Sequence, residues 1–348
     1  MKSPRIPSHF IGLAVALLFF LFWVFQPADR EVERAFYVWE NTKTELTEYE
    51  QKSLEKLEVT KLYLKFFEVE KNDVYGIYPT AKSQLGEYGI EKENFEIVPT
   101  IYVRNEVFKK PGKNELEEFA SNLGFLIRKK MSEKFPGKQL QEIQIDCDWT
   151  ESTQKNYFKF LRLLKKHTDL KISATLRLYA YKFPDKMGVL PVDRAMLMCY
   201  NLLSVHQQEN KNSILDLEEL EKYLVGAGKY PVPLDVALPV YSAMHVYRNN
   251  SYTTTLYNDG QLDAKVLSHT KGLWYRVNTD VPLQTLFLRE GDKVKYEKVS
   301  PEMLERAIRL IRSRVSLERD FTLSFFQLNE YELKQHSDEK LASYYQLF

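Results

Sequence analysis

Apolar and polar side chains alternate from Glu142 to Thr150, with Ile143, Ile145 and Cys147 on one parity and Gln144, Asp146 and Asp148 on the other. Successive side chains of a strand point to opposite faces, so this pattern predicts a strand with one apolar and one acidic face. The split recurs in Lys171 to Tyr181, where Ile172, Ala174, Leu176 and Leu178 oppose Ser173, Thr175, Arg177 and Tyr179. Further strands are predicted over 34–42, 61–70, 97–105, 194–202, 235–242 and 321–330. Helical spacing intervenes at 45–57, at 152–167 on Phe158, Leu161 and Leu164, and at 215–225, which Gly226 and Gly228 close. After Pro111-Gly112 and an Asn114 cap, Leu116, Phe119, Leu123, Leu126 and Ile127 mark another helix. Ser300-Pro301 opens one with Met303, Leu304, Ala307, Ile308 and Ile311 on one side, and 338–348 makes a short closing helix. The stretch 71–95, with Gly76, Pro79, Gly86 and Gly89, reads as irregular.

From about 246 to 300 the rhythm changes to short alternating segments punctuated by Asn258-Asp259-Gly260 and Gly291-Asp292, the signature of antiparallel hairpins. Eight strands alternating with helices across residues 30–348 predict an α/β fold, a (β/α)₈ TIM barrel with a small antiparallel β insertion after the seventh strand. A doubly wound open sheet is the alternative, but the first turn lacks the glycines that fold uses.

Residues 1–29 stand apart. Lys2 and Arg5 precede an uncharged apolar run from Phe10 to Phe25, and Asp29, Glu31 and Glu33 follow it. As a helix the run covers roughly 24 Å, between a signal-peptide core and a full span. No small-x-small cleavage site stands out, so an uncleaved membrane anchor is favoured over a cleaved signal, with the barrel on the extracytoplasmic side at the cell envelope.

Composition narrows the partners. Hydrophobic residues make up 44% and aromatics 14%, which suits a globular fold and also a sugar-facing cleft. Lys plus Arg (49) balances Asp plus Glu (48), so nothing electrostatic points to nucleic acid. Cys147 and Cys199 fall on strands with one strand between them, about 9.6 Å apart at the usual strand spacing and beyond disulfide reach.

Active sites of such barrels sit at the C-terminal ends of the strands. That rule selects Trp39, Glu40, Arg104, Asp146, Asp148, Arg177, Tyr200, Asn201, Tyr241 and Gln327. Plainer roles compete: rim packing for Trp39 and Tyr241, a solvated ion pair for Glu40 and Arg104, and pairing with the aspartates for Arg177. The chain has no G-x-S-x-G, H-E-x-x-H or paired C-x-x-C, and its Gly226-x-Gly228-Lys229 follows a helix instead of preceding one, so no cofactor is expected. His206 and His245, read as loop residues past strand ends, sketch a metal site with the aspartates, but two loop histidines are more often incidental and no metal is expected.

The Glu142–Thr150 stretch resembles the fourth-strand motif D-x-x-D-x-D-x-E of the family 18 chitinase-like glycoside hydrolases, and Met198-Cys199-Tyr200-Asn201 resembles their M-x-Y-D. The β insertion after the seventh strand also matches. The resemblance implies a barrel in which a Glu protonates the glycosidic oxygen, the neighbouring Asp orients the substrate's N-acetyl group as internal nucleophile, and the Tyr helps hold it. Asp146, Asp148 and Tyr200 keep matching positions. Ile143 stands where the first Asp would be, Thr150 where the acid would be, and Asn201 where an Asp would be. Loss of that acid removes a contribution of order 10²–10⁴ in rate. Glu151, one residue on, either substitutes for it or caps the next helix from its first turn; Glu40 and Glu330 are the other candidates at strand ends. A working acid must be enclosed and near Asp148, and none is expected to satisfy both conditions well. Trp39, Glu40, Arg177, Asn201 and Tyr241 complete the expected sugar-binding set. The expectation is an envelope-anchored barrel that binds, and weakly if at all hydrolyses, a polysaccharide containing N-acetylhexosamine; the alternative is a non-catalytic glycan-binding or scaffolding module.

Overall fold

The computed structural model describes residues 31–84, 90, 95–257, 264–283 and 286–348. The apolar run at 10–25 lies outside them. No helix among the described residues is long and apolar enough to cross a membrane.

Two strands separated by a helix begin the chain: β1 (Glu31–Val38), α1 (Glu48–Lys56) and β2 (Lys61–Asn72). Thr47 and Glu50 form a reciprocal capping box at the start of α1, satisfying two N–H groups that helix geometry leaves free. β3 (Gly76–Thr80) then folds back antiparallel on β2. This corrects the irregular reading of 71–95. The Asn72 side chain accepts from the N–H groups of Val74 and Tyr75 at 3.0 and 2.7 Å and makes the turn, while Pro79 is tolerated because β3 is an edge. β4 (Glu96–Val103), α2 (Glu115–Lys134), β5 (Glu142–Asp146), α3 (Gln154–Thr168) and β6 (Lys171–Arg177) follow. Asn114 precedes α2 but makes no capping bond with its side chain.

β6 stops at Arg177, where a strand through Tyr181 was expected; Leu178–Lys182 is a helical turn, α4, followed by α5 (Pro184–Met187). Leu178 and Tyr181, three apart, are both buried, a spacing that a helix satisfies and a strand does not. Then come β7 (Arg194–Met198), α6 (Leu217–Leu224) and β8 (Leu234–Pro239). The insertion contributes β9 (Ala243–Arg248), β10 (Ser251–Tyr257), β11 (Leu267–Lys271), β12 (Trp274–Val277), β13 (Val281–Pro282), β14 (Phe287–Leu288) and β15 (Lys293–Glu297). α7 (Pro301–Arg314), β16 (Asp320–Phe326), α8 (Glu330–His336) and α9 (Asp338–Gln346) complete the chain.

The strands β1, β2, β4, β5, β6, β7, β8 and β16 run in that order around one sheet, and β1 pairs with both β16 and β2, so the sheet closes as an eight-stranded parallel barrel. The open-sheet alternative is thereby excluded. Ile143, Ile145 and Cys147 are fully buried on the helix side of β5, as the parity predicts. α2 and α3 cover that side, with Phe119 stacked on Phe160 at 4.6 Å. Gly124 lets them approach so closely that a Cβ there would lie 2.8 Å from a Thr168 methyl. Both cysteines are buried and free.

The lumen is filled rather than open. Tyr37 stacks on Tyr63 at 4.8 Å and donates its hydroxyl to Gln144 at 2.5 Å. At the N-terminal end of the barrel, buried Lys61 meets Glu33, Glu96 and Glu142 at 2.7, 3.5 and 3.7 Å, and Arg194 forks onto Asp235. Each cation here is paired with carboxylates, which outnumber the two cations, and the cluster sits on the face that stabilises such barrels.

The insertion is a five-stranded antiparallel sheet, ordered β10-β9-β15-β12-β11, with a core of its own around Met244, Val246, Val277, Leu288 and Val294. Its other face meets the barrel through Glu297, which takes the N–H and hydroxyl of Ser213 at 2.9 and 2.6 Å and pairs with Lys295 at 2.8 Å. His245 belongs to this junction. It lies inside β9, not in a loop, and its Nε2 is 3.2 Å from Glu297.

Candidate functional site

The C-terminal strand ends converge on Asp146. Its side chain points into the lumen and accepts from the Thr175 hydroxyl of β6 at 2.6 Å. Asp146 is only 7% exposed. Burial, and after it the charge of Asp148, push its carboxyl up to about 6, against the opposing pull of Thr175, Arg177 and Lys65. Two residues on, Asp148 faces the same way but lies at the rim, where Arg177 forks onto it at 2.6 and 3.1 Å. The fork fixes the orientation of Asp148 and supplies the positive charge that two neighbouring carboxylates need. Arg177 itself is held firmly charged by that pair, against its burial.

Aromatic rings surround the acids. Tyr200 stacks on Phe326 at 5.0 Å and meets Tyr241 edge-on at 6.4 Å; its buried hydroxyl finds no hydrogen-bond partner among the described residues. Tyr241 donates to the Asn201 carbonyl oxygen at 2.6 Å, and Asn201 holds a left-handed backbone (φ 53°) that Asn tolerates better than most residues. Trp39 is half-buried at the end of β1, with its ring 5.7 Å from Phe326 and the buried Lys65 ammonium 5.1 Å from its centre. Lys65 is already committed to Glu68 at 2.6 Å.

The Tyr241–Asn201 contact separates two clefts. One, of about 400 Å³, is lined by Asp148, Arg177, Tyr179, Tyr200, Asn201 and Tyr223. The other, of about 290 Å³, is lined by Trp39, Glu40, Tyr241, Tyr257, Phe326 and Glu332. A larger cleft of about 600 Å³ lies on the insertion beside Trp274 and Lys293, but it holds none of the strand-end residues, so the chemistry is placed at the barrel mouth.

The structure brings Asp146, Asp148, Arg177, Tyr200, Asn201, Tyr241 and Trp39 together. The three candidate replacement acids fare differently. Glu151 is exposed in the turn before α3, and it does not cap that helix: the Thr153 hydroxyl takes the Thr150 N–H at 2.9 Å instead. Glu40 is exposed at the rim and accepts from Thr42 at 3.1 Å. The ion pair read between Glu40 and Arg104 is absent, because Arg104 pairs with Glu68 and Glu70 at 3.4 and 3.0 Å. Glu330 is held below the usual carboxylate range, chiefly by Lys334. The exposed Thr150 hydroxyl hydrogen-bonds, among the described residues, only the Ser152 and Thr153 hydroxyls. His206 is exposed against Tyr252. Among the described residues no group of three or more His, Cys, Asp or Glu is placed to hold a metal.

Three site residues escaped the sequence reading. Tyr102 stands opposite Asp146 on the neighbouring strand, and its parity, two before Arg104, was the available signal. Phe326, just before the selected Gln327, shares its parity with the polar Thr322 and Ser324, so a phenylalanine among inward-facing polar residues marked it. Glu332 had no such signal: it occupies the third position of α8, where a Glu usually caps. Instead its carboxylate accepts from the Ser242 N–H and hydroxyl at 2.7 and 2.5 Å, and burial raises it above the ordinary range despite those bonds.

Solved structures similar to this chain share its architecture. The chain matches the spore cortex-lytic enzyme SleL of Bacillus megaterium QM B1551 with a TM-score of 0.53 at 15% identity, covering 90% of this chain and 75% of that one. It matches the C-terminal domain of a candidate chitinase from Desulfitobacterium hafniense DCB-2 with a TM-score of 0.52 at 9% identity, covering 91% of this chain and 100% of that one. No protein-family model matches the sequence, and no curated protein does at a significant level. The chain therefore has the fold of these solved structures, a closed eight-stranded parallel barrel wrapped by helices.

Proposed function

We propose that the protein binds an extracytoplasmic polysaccharide containing N-acetylhexosamine in the two clefts at the barrel mouth, and that it hydrolyses this polymer weakly or not at all. The observation that carries the reading is the Asp146–Asp148–Arg177 constellation beneath Tyr200 and Tyr241, with Thr150 where a proton donor would stand. In such a site Asp148 and Arg177 orient polar groups of a sugar, Tyr200 offers a buried hydroxyl, and Trp39 and Tyr241 supply apolar faces. Asp146, its carboxyl raised to about 6 by burial and by Asp148, lies deeper in the lumen beneath that pair.

Cleavage requires a carboxylic acid within reach of the leaving oxygen, held neutral by enclosure. Glu151 and Glu40 are exposed and Glu330 is locked to Lys334, while the two enclosed carboxyls are bonded inside the protein, Asp146 to the Thr175 hydroxyl and Glu332 to Ser242. Incubation of the purified protein with N-acetylglucosamine oligomers should therefore release few or no reducing ends. Robust turnover abolished by Glu151→Gln would overturn the non-hydrolytic part of this reading.

The residues on either side of the 10–25 run support an envelope location, since Lys2 and Arg5 precede it and acidic residues follow. An anchored barrel would meet its polymer at the outer face of the membrane.

A further inference from the structure

The cleft beside Trp39 differs in charge from its neighbour. Its wall carries two carboxylates, Glu40 and Glu332, and no lysine, arginine or histidine, whereas the Asp148 cleft is balanced by Arg177. Glu332 is 5% exposed. Both of the hydrogen bonds it receives, from the N–H and hydroxyl of Ser242, arrive at Oε1. No donor among the described residues reaches Oε2.

A carboxylate so enclosed and bonded on one side only is costly to keep charged, and a cation entering the cleft would offset that cost. The rest of the wall suits a cation as well, since it is lined by the aromatic side chains Trp39, Tyr241 and Tyr257, and aromatic rings attract positive charge. Lys298 draws the Glu332 carboxyl down from a distance, which only partly offsets its burial, and no lysine enters the cleft wall or hydrogen-bonds Glu332 among the described residues. Lys65 lies under Trp39 and is bound to Glu68, and Lys298 rests over the Tyr296 ring at 4.6 Å, outside the cleft wall.

We propose that this cleft is a subsite for the free ammonium group of a de-N-acetylated hexosamine, held between the open oxygen of Glu332 and the Trp39, Tyr241 and Tyr257 rings. The inference rests on the barrel mouth being a glycan site and adds which chemical form of the sugar this half of it takes. An N-acetyl group would bring one N–H donor and no charge to a wall that lacks a counterion. A primary amine brings three donors and the charge.

The test is a binding comparison on the full-length protein in detergent, using glucosamine tetramer and N-acetylglucosamine tetramer as probes and calorimetry as readout. The wild type should prefer the glucosamine tetramer by about tenfold, the scale of one charge-assisted contact. Glu332→Gln keeps an oxygen for Ser242 and should bring the preference within about twofold, chiefly by weakening the amine probe. Tyr257→Ser, at an exposed position, should lower affinity for the amine probe more than for the N-acetylated one and serves if Glu332→Gln is poorly folded. Equal weakening of both probes by Glu332→Gln, or no preference in the wild type, would overturn the ammonium assignment and leave the glycan reading standing. Absence of binding by either probe would overturn both.

Discussion

Asp146 shows how one buried residue is set by its surroundings. Its carboxyl is raised to about 6 by burial and by Asp148, well above its value in an unfolded chain. A carboxylate raised in this way binds its proton more tightly in the native state. The native state is therefore favoured below the unfolded value near 4, and that advantage is lost as pH rises through about 6, a swing of about 3 kcal/mol. Asp146→Asn retains an oxygen for the Thr175 hydroxyl and removes the titration. Urea unfolding across pH 4 to 7.5 should show the variant gaining on the wild type as pH rises; parallel profiles would mean Asp146 is not the buried acid described. Asp148, at the rim and forked to Arg177, has no such enclosure, which is why the adjacent parity positions of one strand end play different parts.

At the scale of elements, a buried charge cluster on Glu297 joins the insertion to the barrel. Burial pushes the Glu297 carboxyl up, but His245, Lys295 and Ser213 pull harder and hold it at about 2. Glu297→Ala would leave Lys295, 2% exposed, without its counter-charge, a change costing about 3–5 kcal/mol. Hydrogen exchange should then accelerate first in β9 and β15, with the barrel strands protected longer; uniform acceleration would contradict the separate core assigned to the insertion. Strands and helices that bury one regular face were legible in the sequence, because parity or helical spacing writes that face directly. β5 is the clearest example, its Ile143 and Ile145 turned outward and Gln144 and Asp146 inward. β3 was missed because Gly76 and Pro79 look like breakers until a partner strand supplies the edge they tolerate. His245 and Glu332 were misplaced or missed for a related reason: their partners, Glu297 and Ser242, lie 52 and 90 residues away, and no local pattern encodes such contacts.

For the whole molecule, barrel closure sorts the charged residues into two populations. At the N-terminal end Lys61 and Arg194 are each paired with carboxylates inside the barrel. At the C-terminal end the acids face clefts under aromatic rims, the arrangement on which the glycan reading depends. The proposed envelope orientation puts this end outside the cytoplasm, so a reporter fused after Phe348 should be active only in the extracytoplasmic space, and a cytoplasm-only signal would refute it. The central claim, that the mouth binds N-acetylhexosamine polymer through Asp148 and Trp39, is tested most directly by calorimetric titration of wild type, Asp148→Asn and Trp39→Ala with N-acetylglucosamine oligomers. The account predicts saturable binding by the wild type, weakened roughly tenfold or more by each variant with melting temperatures nearly unchanged. Binding that is untouched by both substitutions, or a large fall in melting temperature on Asp148→Asn with affinity intact, would contradict it.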